Sequence, residues 1–464
     1  MQVKSTESTR INCGIYNFIK SYSILILIEI YFLMTVIMLF FGLINWEIHR
    51  PGRLVAYLFA CHISLCAGYI LYTKWAAKKK LKYSLSISQK IGDIFVKYFW
   101  IMFGLSVFAV IITINLSIPM YTPLQFFDAA RSGFFSPGEQ YQQHLANFWQ
   151  DQNRSRAIIL LGLSSLVAPF AFSFIPISIL LRERLTLSKN IALYVAIIFN
   201  VMGAIVTGTN VANFVIAFFV VVAVFCKCLI QFREHRLSGV RKNLDICVFA
   251  ILLSIFALLF FHFSIGDRLY RQGFRGTREE AFIMHIPSAE SLGLRPTLIN
   301  NSRITLEFYL LHAYLVLDAA FDEPFVFTRG MGHSAALSTA IGVVFGVENH
   351  HHNTYSRRVD SARTVAVGGF LPAYSDIASD VTFPGSIIVF FFIGLGLAAV
   401  WVRTTLTENP LSFALVVILS LFFITLQTRG EFLGHPPNYF AFLGLVIANI
   451  FISVIQRPIK DTQA

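Results

Sequence analysis

Uncharged apolar runs of roughly 20 residues alternate with short polar stretches along most of the chain. Ten runs stand out, at about Ser21–Ile44, Leu54–Tyr72, Tyr98–Leu116, Ala157–Leu181, Ile191–Val206, Val211–Ile230, Leu244–Phe263, Ile387–Val402, Leu411–Gln427 and Asn438–Ile455. A hydrocarbon core about 30 Å thick takes about 20 residues of helix, so each run predicts one crossing. Strict alternation of apolar and polar positions is missing, which argues against a β-barrel. The first run is long, follows a polar tail of 20 residues and has no small-residue cleavage site, so it is expected to stay as a span. The fold class expected is an all-α polytopic membrane protein of about ten transmembrane helices. Its organisation is a seven-span bundle over 1–263 with an outer loop at 117–156, a large outer loop or subdomain at 264–386, and three more spans over 387–464.

Composition agrees with this pattern. The 464 residues are 56% hydrophobic and 13% charged, with a mean hydropathy of +0.66. Charge gives the orientation. Lys74, Lys78, Lys79, Lys80, Lys82, Lys90 and Lys97, then Arg182, Arg184 and Lys189, then Arg233, Arg236, Arg241 and Lys242 occupy alternate loops, which the positive-inside rule assigns to the cytoplasm. An even number of spans puts both termini there. The segments at 45–53, 117–156, 264–386 and 428–437 then lie outside, and they hold 16 of the 37 Lys and Arg residues, every one of them arginine. Guanidinium grips phosphate or carboxylate with two parallel bonds, whereas ammonium is a hydrated point charge, so this bias favours phosphate handling on the outer side.

The same distribution narrows the function classes. The pI of about 9.4 is mostly the positive-inside signal and gives no support to nucleic-acid binding. The longest inner segment between spans, Lys74 to Lys97, is too short for a nucleotide-binding domain and contains no P-loop or dinucleotide fingerprint. Cys13, Cys61, Cys66, Cys226, Cys228 and Cys247 all fall in spans or on the inner side, so no outer disulfide is expected.

Candidate chemistry concentrates in 264–386. In SRITLEFYLLHAYLVLDAAF, Ser302 to Phe321, helical spacing brings Arg303, Glu307, Tyr314 and Asp318 onto one stripe. Such a helix is expected at the interface or dipping into the bundle, with the stripe toward a wet cavity or with Arg303 and Glu307 paired at the surface. Downstream, FVFTRGMGHS (Phe325 to Ser334) combines Arg329 and His333 with Gly330 and Gly332, whose backbones turn sharply or approach a ligand closely; an anion beside a proton acceptor suits it. In ENHHHNTYSRR (Glu348 to Arg358) three adjacent histidines cannot converge on one ion from a regular element, which disfavours a metal; a solvent-exposed loop is the default reading, with acid/base or hydrogen-bonding use of one histidine as the alternative. No metal or cofactor is expected. Glu29, well inside the first run, is costly there unless protonated, paired or part of an ion path.

PFVFTRGMGHS, followed by YSDIASDVTFPGSIIVFFFIG (Tyr374 to Gly394), resembles the Wzy-type oligosaccharide repeat-unit polymerases of bacterial surface polysaccharides. Matching stretches are DAARSG (Asp128 to Gly133), the GTN turn at Gly208 to Asn210, and TRGE (Thr428 to Glu431). The resemblance implies a GT-C-like glycosyltransferase in the bacterial inner membrane, with a periplasmic active site and a large periplasmic loop carrying amphipathic helices. It would move a growing glycan from undecaprenyl pyrophosphate to the next lipid-linked repeat unit, among membrane lipids and with a chain-length-regulating co-polymerase as a further partner. Under it, Arg131, Arg329 and Arg429 stabilise pyrophosphate charge, with Asn210 at a turn where relatives often carry arginine. His333 or Asp380 accepts the proton of the acceptor hydroxyl. A glycan ligase using the same donor and a lipid-linked oligosaccharide transporter are the competing expectations.

Overall fold

The computed structural model describes residues 5–79, 85–117, 122–140, 154–208, 210–231, 243–272, 292–293, 295, 297–362, 372–426 and 434–455. Among them the regular elements are all helices: α1 (Ser5–Phe41), α2 (Pro51–Lys78), α3 (Leu85–Lys97), α4 (Phe99–Ser117), α5 (Pro123–Phe135), α6 (Arg154–Leu180), α7 (Leu187–Val206), α8 (Asn210–Gln231), α9 (Leu244–Gln272), α10 (Leu298–Ala320), α11 (Ala335–Phe345), α12 (Tyr355–Ala362), α13 (Ala373–Thr407), α14 (Pro410–Thr425) and α15 (Pro436–Ile455). All ten apolar runs are helical. Among the described residues, α1, α2, α6, α7, α8, α9, α13 and α15 are long and apolar enough to cross a membrane, and α3 with α4, bent by 69°, makes a ninth if counted as one span. The protein is an all-helical, multi-pass membrane protein.

The remaining run, Leu411–Gln427, forms α14, which has only 16 residues. Its side chains from Pro410 to Phe423 are buried almost without exception, since α1, α6, α8, α13 and α15 surround it. A helix inside the bundle can be apolar on every side, whereas one at the rim needs lipid on one face. Around this hub, α2 and α13 make the most extensive pairing. Gly68 and Gly394 let them touch, for a Cβ on Gly68 would lie 2.1 Å from the Phe391 carbonyl oxygen and one on Gly394 2.1 Å from that of Leu65.

The helix α13 is a folded-back pair of arms. Thr382 has φ 72° and ψ 165°, outside any helix, and separates residues 373–381 from 383–407. Tyr374 and Phe390 stack with ring centroids 5.4 Å apart, although 16 residues of straight helix would separate them by about 24 Å. The cause is local. Pro384 has no N–H and restricts the residue before it, and the Thr382 hydroxyl oxygen accepts from the Gly385 N–H (3.3 Å) to start the second arm. The first arm lies beside His62, well inside α2.

The buried part of the polar stripe of α10 departs from its expected surroundings. Glu307 is buried and accepts from the N–H groups of Leu43 (2.7 Å) and Ile44 (2.8 Å), just past the end of α1. Asp318 is buried and accepts from those of His49 (2.7 Å) and Arg50 (3.2 Å), just before α2. Tyr314 shares a 3.0 Å hydrogen bond with Thr35. Among the described residues, the buried part of the stripe clamps α1 and the α1–α2 connection. Glu307 spends both oxygens on backbone rather than on Arg303, which is exposed.

Candidate functional site

Between α10 and α11 the chain makes two tight turns. The Met331 N–H donates to the Thr328 carbonyl (3.1 Å), and the residues between them, Arg329 (φ 57°) and Gly330 (φ 73°), are both left-handed, as in a type I′ turn. Glycine takes this geometry freely; a long side chain such as arginine rarely does. The strain holds Arg329 at the tip of the turn, exposed, and among the described residues its guanidinium has no hydrogen-bond or ion-pair partner. A strained, outward-held cation is the kind of feature found at binding sites. The second turn ends at Ser334, whose side chain accepts from the Leu337 N–H (3.2 Å) and caps α11.

Asp380, at the far end of the first arm of α13, meets this loop. Its Oδ1 accepts from the Thr328 hydroxyl (2.5 Å) and the Gly332 N–H (2.8 Å); its Oδ2 accepts from the His333 N–H (2.9 Å) and lies 2.8 Å from His333 Nδ1. A Cβ on Gly332 would come within 2.4 Å of Thr328 Oγ1, so the approach of loop to carboxylate needs glycine there. An ionised carboxylate can only accept, so the proton between Asp380 and His333 sits on Nδ1. In the neutral ring the lone pair is then on Nε2, 3.4 Å from the Tyr439 hydroxyl of α15. The side chain of Asp380 is 10% exposed and that of His333 31%, which leaves the ring reachable while its orienting partner is shielded.

The surrounding shell comes from the histidine-rich stretch. The expectation of a solvent-exposed loop is corrected for two of its three histidines: His350 and His351 are buried and only His352 is exposed. His351 lies near the Gly332 backbone, and burial, with the Arg357 guanidinium nearby, pushes its imidazole down to about 4. It is therefore uncharged at neutral pH. Arg358 closes the base by reaching Glu323 (3.1 Å), the Pro324 carbonyl (2.6 Å) and the Asn353 carbonyl (3.3 Å). Ser356 donates to Asp376 (2.7 Å) and ties α12 to the first arm of α13.

The structure thus brings His333 and Asp380 into contact, with Arg329 four residues before the histidine. The other candidates stand differently. Arg131 is exposed on α5, which packs chiefly on α7 through Gly133; beyond α5, the Gln140 side chain donates to the Val206 carbonyl at the end of α7 (2.9 Å). Asn210 opens α8, with its side chain outside the described residues, as is all of Arg429. Sequence reasoning missed Thr328 and Tyr439, and it did not single out His351 from its histidine stretch. Thr328 and His351 adjoin or fall in stretches that had drawn notice, whereas Tyr439 sits in an ordinary span without any signal. Comparison with protein-family models, with curated proteins and with solved structures returned no match.

Proposed function

We propose that the protein is a polysaccharide repeat-unit polymerase, a glycosyltransferase that moves a growing glycan from undecaprenyl pyrophosphate to the next lipid-linked repeat unit at the periplasmic face of the bacterial inner membrane. The observation that carries the reading is the His333–Asp380 pair, with His333 on the same loop as the exposed Arg329, which among the described residues has no partner. In this mechanism Nε2 of His333 takes the proton of the acceptor hydroxyl as its oxygen attacks the anomeric carbon. The bond from that carbon to the pyrophosphate oxygen breaks, and the carrier pyrophosphate leaves with the electron pair. Asp380 orients the ring and balances its positive charge. Arg329 stabilises the leaving pyrophosphate, and the reading assigns Arg131, Arg429 and Asn210 to the same lipid-linked donor. A pyrophosphate leaving group needs no cytosolic nucleotide, in keeping with the short inner segments.

Polymerisation uses another copy of the donor as acceptor, so one substrate suffices. Purified protein given only the native lipid-linked repeat unit is expected to yield a ladder of carrier-linked products spaced by one repeat. A ligase would leave that substrate unchanged until its separate acceptor was supplied, and a transporter would form no glycosidic bond. No ladder from a folded preparation with the correct repeat unit sinks the reading. Within it, Arg329→Lys is expected to lower turnover about ten- to a hundredfold with the melting temperature unchanged, since a charge-assisted forked contact contributes about 1.5–3 kcal/mol and lysine lacks its geometry. Turnover of the lysine variant within threefold of wild type would remove Arg329 from the phosphate site.

A further inference from the structure

Glu29 lies in the apolar span of α1, where a carboxylate is costly and calls for a partner. That partner is His62 of α2, whose Nδ1 is 3.1 and 3.0 Å from the two carboxylate oxygens. Phe32 stacks on the imidazole at 3.6 Å and 9°. Nδ1 carries the proton toward Glu29, so Nε2 accepts from the Tyr374 hydroxyl at 2.9 Å. His62 and Tyr374 are both buried. Three polar side chains therefore run in series from α1 through α2 into the first turn of α13.

Tyr374 belongs to the same arm, 373–381, that ends at Asp380. Six helical residues, about 9 Å of rise, separate them. The other polar contacts from α2 to α13 go to the second arm, from the Tyr57 hydroxyl to Ser386 (2.7 Å) and from the Ser64 hydroxyl to the Ile387 carbonyl (2.7 Å). Among the described residues, the polar link from α2 to the first arm is the one through His62. Apolar side chains of similar volume at positions 29, 62 and 374 would fill this space at no desolvation cost, so the polar chain provides direction rather than net stability. Ring stacking on Phe390 tolerates sliding, whereas a hydrogen bond to a ring nitrogen fixes the rotation of the arm. Turning the arm by a single residue, about 100°, would swing Asp380 away from the loop.

We propose that Glu29, His62 and Tyr374 are positioning residues, a buried chain that sets the rotation of the first arm of α13 and so keeps Asp380 in register with His333. The assignment rests on the reading of the His333–Asp380 pair as the reacting centre, and its test has one arm that needs no substrate. In lipid-reconstituted protein labelled with ¹⁵N-histidine, the ring shifts of His333, assigned with His333→Asn, report which nitrogen carries the proton; Asp380→Asn gives the signature of the broken contact. Tyr374→Phe, which keeps the ring and its stacking, and Glu29→Ala are expected to move His333 toward that signature and to lower kcat about tenfold with KM unchanged. Glu29→Gln, which retains an acceptor for His62 Nδ1–H, restores most of both. A wild-type His333 signature in both Tyr374→Phe and Glu29→Ala overturns the proposal, including when their melting temperatures fall, because the chain would then only stabilise the bundle. Wild-type kcat in both overturns it too. If wild-type protein makes no ladder, the polymerase reading fails by itself and the ring shifts still decide the positioning role.

Discussion

Asp380→Asn is expected to lower glycosyl transfer at least a thousandfold, and His333→Ala between a hundred- and ten-thousandfold, without loss of the folded protein. The magnitudes follow from roles. A general base contributes roughly 10²–10⁴-fold, and converting the orienting carboxylate of a Ser–His–Asp triad to an amide costs about 10⁴-fold, because the ring then presents the wrong tautomer. Asparagine at 380 also turns an NH₂ group toward donors it cannot satisfy, for Asp380 receives the Thr328 hydroxyl, two backbone N–H groups and His333 Nδ1. His333→Ala is the cleaner variant: the backbone bonds of Gly332 and His333 to Asp380 survive, so the loop keeps its shape. The two residues act as one unit, so the double variant should be no slower than Asp380→Asn alone. Single-turnover rates on the lipid-linked repeat unit, beside melting temperatures, check this. A His333→Ala variant within threefold of wild type would end its assignment as base.

Much of this site was legible in the sequence as ingredients, less as geometry. Arg329 and His333 stand out because Gly330 and Gly332 punctuate the loop that carries them, whereas Asp380 comes in only with the family resemblance. That Asp380 orients and His333 faces the open side was not legible; it depends on the fold at Thr382, which brings the arm up against the loop 47 residues earlier in sequence. The run read from the sequence, Ile387–Val402, begins only after Pro384 and Gly385, and hydropathy counts length rather than direction. The spans themselves were readable because bilayer thickness fixes their length. α14 shows where that rule stops: a run shielded by other helices need not match the bilayer. The burial of His350 and His351 was not legible for a related reason, since three adjacent histidines look solvated until the fold that covers them is in place.

α10 carries the same lesson to a second expected result. Its polar positions fall on one stripe as the spacing predicts, but the partners of its two carboxylates, Glu307 and Asp318, are backbone N–H groups, which side-chain patterns do not reveal. Glu307→Ala would strip the acceptor from two such groups, those of Leu43 and Ile44. Hydrogen bonds to a charged acceptor contribute about 1.5–3 kcal/mol each, and because Leu43 is only half-buried, water recovers part of its share. A net loss of about 3 kcal/mol follows, which for a chain of this size is a fall in melting temperature of about 3 °C. Glu307→Gln should not rescue it, because the amide NH₂ would face one of the N–H donors. Gly42→Ala should be nearly as damaging, since a Cβ there would sit 2.3 Å from Glu307 Oε1. The pair should be strongly non-additive, as both changes remove one clamp. Arg303→Ala, which removes only an exposed cation, should shift the melting temperature far less. Equal losses for Arg303→Ala and Glu307→Ala would restore the surface ion pair as the role of Glu307 and remove the clamp.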